Sequence, residues 1–269
     1  MNTHKNLPDV DRFSVVMAMI LIAYSLTAVV SFPDRSLNLQ LPGFLLTLDF
    51  NFVTIISLLV AVLAAAGSDW LISDHPFFER STRWQHWLIP ALTALVFGVS
   101  LNTLKVSAAW WGVFGLGGLL VAGVLLSEYI SVDPGDSRSP VAIIALTAVS
   151  LALFLTLSIA LRGSGSRLYL ILIPLLPAGF LVTMRSLMLR NSEAPNSAWA
   201  LGITLVILQV ATGLYYLPLR PIQFGLVLVG LLFALITLAD SIQEQRPRPG
   251  VWLDPLLLTL LFCISALLA

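Results

Sequence analysis

Charged side chains are scarce in this sequence. Asp, Glu, Lys and Arg together make up 10% of the 269 residues, whereas a soluble globular domain contains about 25%. Hydrophobic residues make up 58% of the chain, and they recur in runs of about 20 residues, the length at which an α-helix crosses the hydrocarbon core of a bilayer. The composition excludes an ordinary soluble domain and predicts an all-α integral membrane protein, folded as one polytopic domain over residues 1–269.

Cysteine is nearly absent as well. Cys263 is the single cysteine, so the chain cannot form an intrachain disulfide, and we expect this side chain to pack within the last apolar run. The 14 basic residues balance the 14 acidic ones, so the sequence lacks the excess positive charge that nucleic-acid binding requires. The expected partners are the lipid bilayer and other membrane-protein subunits, and no nucleic acid.

The centres of the apolar runs contain no ionisable residue. Because buried acids and bases in membranes are functional by default, this lack argues against a proton relay of carboxylates. His86 has no second intramembrane histidine with which to ligate a haem, and neither a paired acidic motif nor a Ser–His pair for proteolysis is present. We expect no cofactor and no recognisable catalytic chemistry, so an enzyme is the less favoured class.

Nine apolar runs are candidates for membrane spans, and short polar or Pro- and Gly-containing segments separate them. Thr82 and Gln85 match a capping box at the start of the third run. The ninth run is the shortest. The predicted spans are Phe13–Phe32, Phe52–Leu71, Thr82–Leu101, Ala108–Tyr129, Val141–Leu161, Leu168–Met188, Ala198–Leu217, Ile222–Ile242 and Trp252–Ala269.

The segment between the first two spans has a different periodicity. Apolar and polar residues alternate on both sides of Pro42-Gly43, which predicts a small β-hairpin with one apolar face. An irregular loop at the membrane interface is the alternative. The alternating apolar residues are Leu37, Leu39, Leu41, Leu46, Leu48, Phe50 and Phe52.

The positions of Lys and Arg predict the orientation of the chain. Nine of these 14 residues fall in the alternate segments that begin with the N-terminus, and five fall in the others. Since cytoplasmic loops carry the excess of positive charge, we expect a cytoplasmic N-terminus. With nine spans, the C-terminus and the hairpin are then predicted to lie outside.

The stretch Asp69–Pro90 is the most distinctive part of the chain, with three of the seven Trp and two of the three His. Pro90 has no N–H, so the carbonyl of His86 loses its helical partner and a kink is predicted. The basic and aromatic face could hold an anionic head group; membrane-interface anchoring is the alternative. Zinc ligand types also occur here, but their spacing matches no zinc motif, so no metal is expected. The candidate ligand-binding residues are Arg80, Arg83, His86, Trp87 and Pro90.

A second candidate region lies in the sixth and seventh spans. Pro174 and Pro177 interrupt the sixth span, and broken helices near the middle of a membrane are typical of transporter binding sites. Gln209 is the most polar residue within a span. Residues 83–92 and 167–176 share Arg, Leu, Ile, Pro and Leu at equivalent positions, which raises the hypothesis of an inverted repeat.

These observations favour an assembly or accessory subunit that packs within a complex of a bacterial-type cytoplasmic membrane. The first alternative is a carrier of a small neutral or amphiphilic molecule, with Pro90, Pro174, Pro177 and Gln209 along its path. The second is a lipid-binding or lipid-modifying membrane enzyme, in which Arg80, Arg83 and His86 would hold a phosphate.

Overall fold

The computed structural model describes residues 8–30, 35–41, 44–50, 52–77, 80–133, 135–190, 197–243 and 253–268. Eight of its helical segments are long and apolar enough to cross a membrane, and the third of them, Arg83–Asn102, includes part of a 3-10 helix. The chain is therefore an all-α, multi-pass membrane protein with one pair of short strands. The helices are α1 (Val10–Val29), α2 (Phe52–Ile72), α3 (Leu88–Asn102), α4 (Ala108–Ile130), α5 (Ser139–Gly163), α6 (Leu168–Arg190), α7 (Ser197–Tyr215), α8 (Pro221–Gln243) and α9 (Leu253–Leu268).

Two strands, β1 (Arg35–Leu41) and β2 (Phe44–Phe50), lie between α1 and α2 and pair antiparallel. Leu39 is opposite Leu46, and Leu37 is opposite Leu48.

The helix bounds agree with the predicted spans to within a few residues, and the third span, Arg83–Asn102, combines two types of helix. There a 3-10 helix, Arg80–Trp87, precedes α3, which begins at Leu88. Pro90 is the third residue of α3. The N–H groups in the first turn of an α-helix have no acceptor within that helix, so the missing N–H of Pro90 removes no hydrogen bond from α3. The predicted kink at Pro90 is therefore replaced by a change of helix type before it. The ninth helix has only 16 residues, and its role as a ninth span stays a prediction.

The chain divides into two compact units, Met1–Ala142 (unit 1) and Ile143–Ala269 (unit 2). In unit 1, α2 packs against α1, α3 and α4. Their buried side chains form one hydrophobic core. Within it the Tyr24 hydroxyl donates to the carbonyl of Ala94, and the Tyr24 ring meets Phe97 edge-on at 4.7 Å between centroids. A tyrosine buried in this core thus has both its ring and its hydroxyl satisfied.

In unit 2, α8 is the central helix and contacts α6, α7 and α9. Its glycines allow neighbours to approach closely. A Cβ added at Gly225 would lie 2.8 Å from Cγ1 of Ile159 in α5, and one added at Gly230 would overlap Phe262 in α9. These two positions therefore fix how tightly α5 and α9 pack on α8.

The glycines of α4 divide into two groups. Gly117 and Gly118 face inward, where an added Cβ would overlap the Phe97 ring or lie 2.9 Å from Leu21. An added Cβ at Gly112, Gly115 or Gly123 would meet nothing within 4 Å. Two of the glycines thus allow close packing inside unit 1, while three leave open space on the opposite side of the helix.

Candidate functional site

Polar side chains from three elements meet at one end of unit 1. These side chains come from the C-terminal end of α2, the 3-10 helix and the C-terminal end of α4. Residues of the 3-10 helix form hydrogen bonds with both of the other elements. Close by, Arg12 of α1 forms an ion pair with Asp74 at 2.6 Å, which ties the start of α1 to the end of α2. We call the following residues the polar cluster: Ser68, Asp69, Arg83, His86, Trp87 and Glu128.

Asp69 is the hydrogen-bond acceptor for the two exposed residues of the polar cluster, Arg83 and Trp87. Its carboxylate accepts hydrogen bonds from Nε and Nη2 of Arg83 and from Nε1 of Trp87 at 3.1 Å. The Arg83 guanidinium also lies over the Trp87 ring, 6.0 Å from its centroid. A bidentate Arg–carboxylate pair fixes the orientation of both groups, so most of the Arg83 fork already has a partner within the protein.

His86 and Glu128 form the buried part of the polar cluster. Nδ1 of His86 lies 2.8 Å from Oε2 of Glu128, and the Glu128 side chain is completely buried. The two residues are 42 positions apart in the chain. A carboxylate excluded from water needs a charged or hydrogen-bonding partner, and the imidazole supplies one. Chemically, this arrangement can hold a proton between the two side chains.

The carbonyl of His86 was predicted to lose its helical hydrogen-bond partner to Pro90, and a side chain takes the place of that partner. The buried Ser68 hydroxyl of α2 donates to it at 2.9 Å. A backbone carbonyl freed by proline inside a membrane protein must be satisfied by a side chain, water or another helix. Ser68 fulfils this requirement and joins α2 to the 3-10 helix.

His75 lies near the polar cluster, in the segment after α2 and outside the spans. Its ring meets Tyr129 edge-on at 4.8 Å between centroids, and its Nδ1 accepts a hydrogen bond from the Phe77 N–H at 3.3 Å. Burial lowers the pKa of His75, and the charges of Asp133 and Asp136 raise it by a smaller amount. Both the lowered pKa and the accepted hydrogen bond favour the neutral imidazole.

The lowered pKa of His75 predicts a loss of stability on acidification. In the unfolded chain the His75 pKa is about 6.5, so below that pH the unfolded state binds more protons than the folded state. The free energy of unfolding should then fall as the pH decreases from about 6.5 towards the folded-state pKa, by at most about 1.4 kcal/mol per pH unit. The measurement is the apparent Tm in detergent between pH 8 and pH 5.

The control for this prediction is His75→Phe, which keeps an aromatic ring against Tyr129 and removes the titrating group. We expect the variant to show a weaker pH dependence than the native chain. An identical pH dependence in both proteins would mean that His75 does not contribute to it.

The polar cluster does not form a metal centre in the part of the chain that the structure describes. There, no group of three or more His, Cys, Asp or Glu side chains is placed to hold a metal ion. The side chain of Arg80, one of the predicted ligands, lies outside the described residues.

The candidate residues of unit 2 are not gathered around a polar cavity within the described residues. Pro174 is half-buried in α6, Pro177 is exposed, and Gln209 is exposed on α7. An open groove of about 420 Å³ in unit 2 is lined by none of these three residues. Its lining residues are Ala198, Trp199, Gly202, Ile203, Val206 and Leu235.

The two segments of the hypothetical repeat differ in local structure. Residues 84–87 belong to the 3-10 helix, whereas the equivalent residues 168–171 begin α6. Pro90 is in the first turn of its helix, but Pro174 is the seventh residue of α6. The shared letters therefore do not correspond to a shared helix geometry.

The stretch that contains Arg83, His86 and Trp87 is recognisable in the sequence, but Ser68 and Glu128 are not recognisable there as the partners of these residues. One signal was available: in antiparallel spans, the end of α4 and the start of the third span lie on the same side of the membrane. An acid and a histidine at the same level are candidates for a pair.

A protein-family model described as "Protein of unknown function (DUF5656)" matches residues 32–269 of the chain. This match covers the polar cluster and both units apart from the N-terminal segment and α1. Neither a curated protein nor a solved structure matches the chain.

Proposed function

We propose that this chain, which belongs to the DUF5656 family, is an assembly or accessory subunit that packs against other proteins within a membrane complex. The observation that supports this function is the outer face of α4, formed by Gly112, Gly115, Leu116, Leu119 and Gly123. All five residues are exposed, and Leu116 and Leu119 are exposed by 69% and 71%. At the three glycines an added side chain would meet nothing within 4 Å.

Glycine gives a lipid-facing helix no evident advantage. It lowers helix stability by about 1 kcal/mol relative to alanine, and it buries less surface against the acyl chains. Small residues do help where two membrane helices meet, because they allow the backbones to approach closely. An α-helix turns by 100° per residue, which places Gly112, Gly115 and Gly123 on the side of α4 opposite the buried residues Val121 and Glu128. This arrangement supports a partner helix on the outer face of α4.

The two alternative functions receive less support from the described residues. A phosphate-binding enzyme would use the Arg83 guanidinium, which donates two hydrogen bonds to Asp69, and the imidazole of His86, which is paired with Glu128. A carrier would use polar groups around a path, whereas the groove on α7 is lined by apolar side chains. Packing within a complex requires neither an unpaired Arg83 or His86 side chain nor a polar path.

The proposal includes a topology. We propose nine spans, with α9 as the last, a cytoplasmic N-terminus, and the C-terminus and the β1–β2 hairpin on the extracytoplasmic side. The excess of Lys and Arg in alternate segments supports this orientation. A C-terminal alkaline phosphatase fusion should then be active, since that enzyme needs the oxidising exterior. Fluorescence from a C-terminal green fluorescent protein would contradict the topology.

The packing function is tested by filling the outer face of α4. We expect the native chain, extracted from its own membrane in a mild detergent, to migrate with at least one different protein. The double variant Gly115→Leu/Gly123→Leu should weaken this association by about tenfold or more, equal to 1.4 kcal/mol, because the added side chains hold the partner helix away.

Ala148→Leu is the control, since it places a leucine at an exposed position of α5 and should leave the association unchanged. Apparent Tm values should be similar for all three proteins, because the substituted positions face outward. A native chain that is recovered without any other protein, or a double variant that keeps its partner, would contradict the proposed function.

A further inference from the structure

The exposed side of α7 has one polar residue at its centre. Ala200, Ile203, Ile207 and Ala211 are buried, and in steps of 100° Gln209 lies almost directly opposite them. Residues on the exposed side are small or apolar apart from this one amide. We call this side the outer face of α7, formed by Ala198, Gly202, Leu205, Val206, Gln209 and Gly213, all exposed.

Gln209 is deep within the span. It lies three residues from Val206, the middle residue of α7 (Ser197–Tyr215), which corresponds to about 4.5 Å along the helix axis. Within the described part of the chain, no hydrogen bond of its side-chain amide is found. In hydrocarbon, a polar group without a hydrogen-bonding partner costs several kcal/mol. The position of Gln209 therefore calls for a hydrogen-bonding partner other than the described residues of its own copy.

The outer face of α7 also has room for another helix. A Cβ added at Gly202 or Gly213 would meet nothing within 4 Å. Beside Gly202 lies the open groove of about 420 Å³, which Ala198 and Val206 also line. The ridge of a neighbouring helix can enter such a groove, and the small residues allow it to come close enough for the amide to reach a partner.

We propose that the outer face of α7 binds the same face of a second copy of this chain, with the two Gln209 amides hydrogen-bonded to each other. The proposal rests on the packing function proposed above and names the partner of one surface. All copies insert into the membrane in the same orientation, so a two-fold axis that relates two copies must run along the membrane normal. The two α7 helices then lie parallel, and each residue near the axis meets its own counterpart.

A glutamine suits this position because its side chain carries both a donor and an acceptor. Two glutamines that face each other across a two-fold axis can therefore form a hydrogen-bonded pair without any other group. The small residues Gly202 and Gly213 on either side of Gln209 are placed to let the two backbones approach. The geometry thus makes a second copy sufficient to satisfy the amide.

Disulfide mapping of the full-length chain in its own membrane tests this inference. In a Cys263→Ser background, single cysteines are placed by Gly202→Cys, Gln209→Cys and Gly213→Cys, and the membranes are oxidised. We expect dimers of the chain from all three variants, since a disulfide requires Cα atoms within about 7 Å. Ile173→Cys is the matched control, because Ile173 is 58% exposed but lies on α6 and not on the outer face of α7. It is near the end of α6 where the Tyr215 hydroxyl of α7 donates to the carbonyl of Ser166.

The amide pair itself is tested by association of the purified chain in phosphatidylcholine vesicles, measured by energy transfer between labelled copies. Gln209→Leu should weaken self-association by about 3- to 30-fold, the range found for polar contacts between membrane helices. Gln209→Asn, which keeps both donor and acceptor, should retain more of the association than Gln209→Leu. Gly202→Leu should abolish most of it by filling the groove.

Several results would overturn the inference: monomers of the native chain in vesicles, equal cross-linking at Ile173 and Gln209, or no effect of Gln209→Leu. Cross-linking of position 209 to a different protein would overturn it as well. Failure of the proposed function can be distinguished from failure of this inference. The variant Gly115→Leu/Gly123→Leu tests the binding of a different protein to α4, whereas the variants of α7 test self-association. A chain that self-associates through α7 but binds no other protein would support this inference alone.

Discussion

Replacing Glu128 with alanine is expected to destabilise unit 1 by about 3–5 kcal/mol, the range for removing one member of a buried charged pair. Glu128 is completely buried and lies 2.8 Å from Nδ1 of His86, so its removal leaves the imidazole without this partner in an environment that excludes water. It also leaves a cavity at the end of α4. The measurement is unfolding of the full-length chain in mixed micelles with increasing dodecyl sulfate.

The double variant His86→Leu/Glu128→Leu separates the pair from the rest of the core. Because apolar residues of similar volume often replace a buried pair with little loss, we expect this variant to be more stable than Glu128→Ala. Glu128→Gln should also be milder, since an amide can still bond to the imidazole. If the double variant were as unstable as the sum of two single leucine variants, the two side chains would be acting independently.

Replacing Gly117 with alanine is expected to destabilise unit 1 by about 1–3 kcal/mol, the usual range for overpacking a core. A Cβ at this position of α4 overlaps the ring of Phe97. That ring cannot move freely, because it is buried and lies 4.7 Å from Tyr24 and 6.4 Å from Phe114 between centroids. Either α3 and α4 must separate or the ring must leave its rotamer.

Gly123→Ala is the matched control for Gly117→Ala. Both positions lie in the interior of α4, so alanine raises the helix propensity equally at each, but at Gly123 the added Cβ meets nothing within 4 Å. The control should be neutral or slightly stabilising, and the difference between the variants isolates the steric term. Equal apparent Tm values for the two variants would show that α3 and α4 are not packed as described.

Helix bounds could be predicted because they depend on properties of neighbouring residues. Eight runs were apolar and long enough to be recognised one at a time. The type of helix at the start of the third span could not be predicted in the same way. The proline in the sequence predicted a kink, but whether residues 80–87 form an α-helix or a 3-10 helix depends on what packs against them. The freed carbonyl of His86 was predicted correctly, while its partner Ser68 was not.

The partners in the polar cluster could not be read from the sequence, because their separations in the chain range from 14 residues for Asp69 and Arg83 to 42 for His86 and Glu128. Which residues of α2 and α4 meet the 3-10 helix depends on how each helix is rotated about its axis. A helix that is apolar on all sides gives little indication of that rotation. Large and small residues occur on every side of α4. Which side is the inner face depends on the helices that pack against it.

By itself the sequence determined that the chain is an all-α membrane protein, and it located the polar stretch around His86, because hydropathy and proline chemistry act over a few residues. Only the tertiary structure decided that Glu128 is the partner of His86, that Arg83 is held by Asp69, and which glycines face outward. Those outcomes depend on side chains that are far apart in the chain and are brought together by packing, which local composition does not encode.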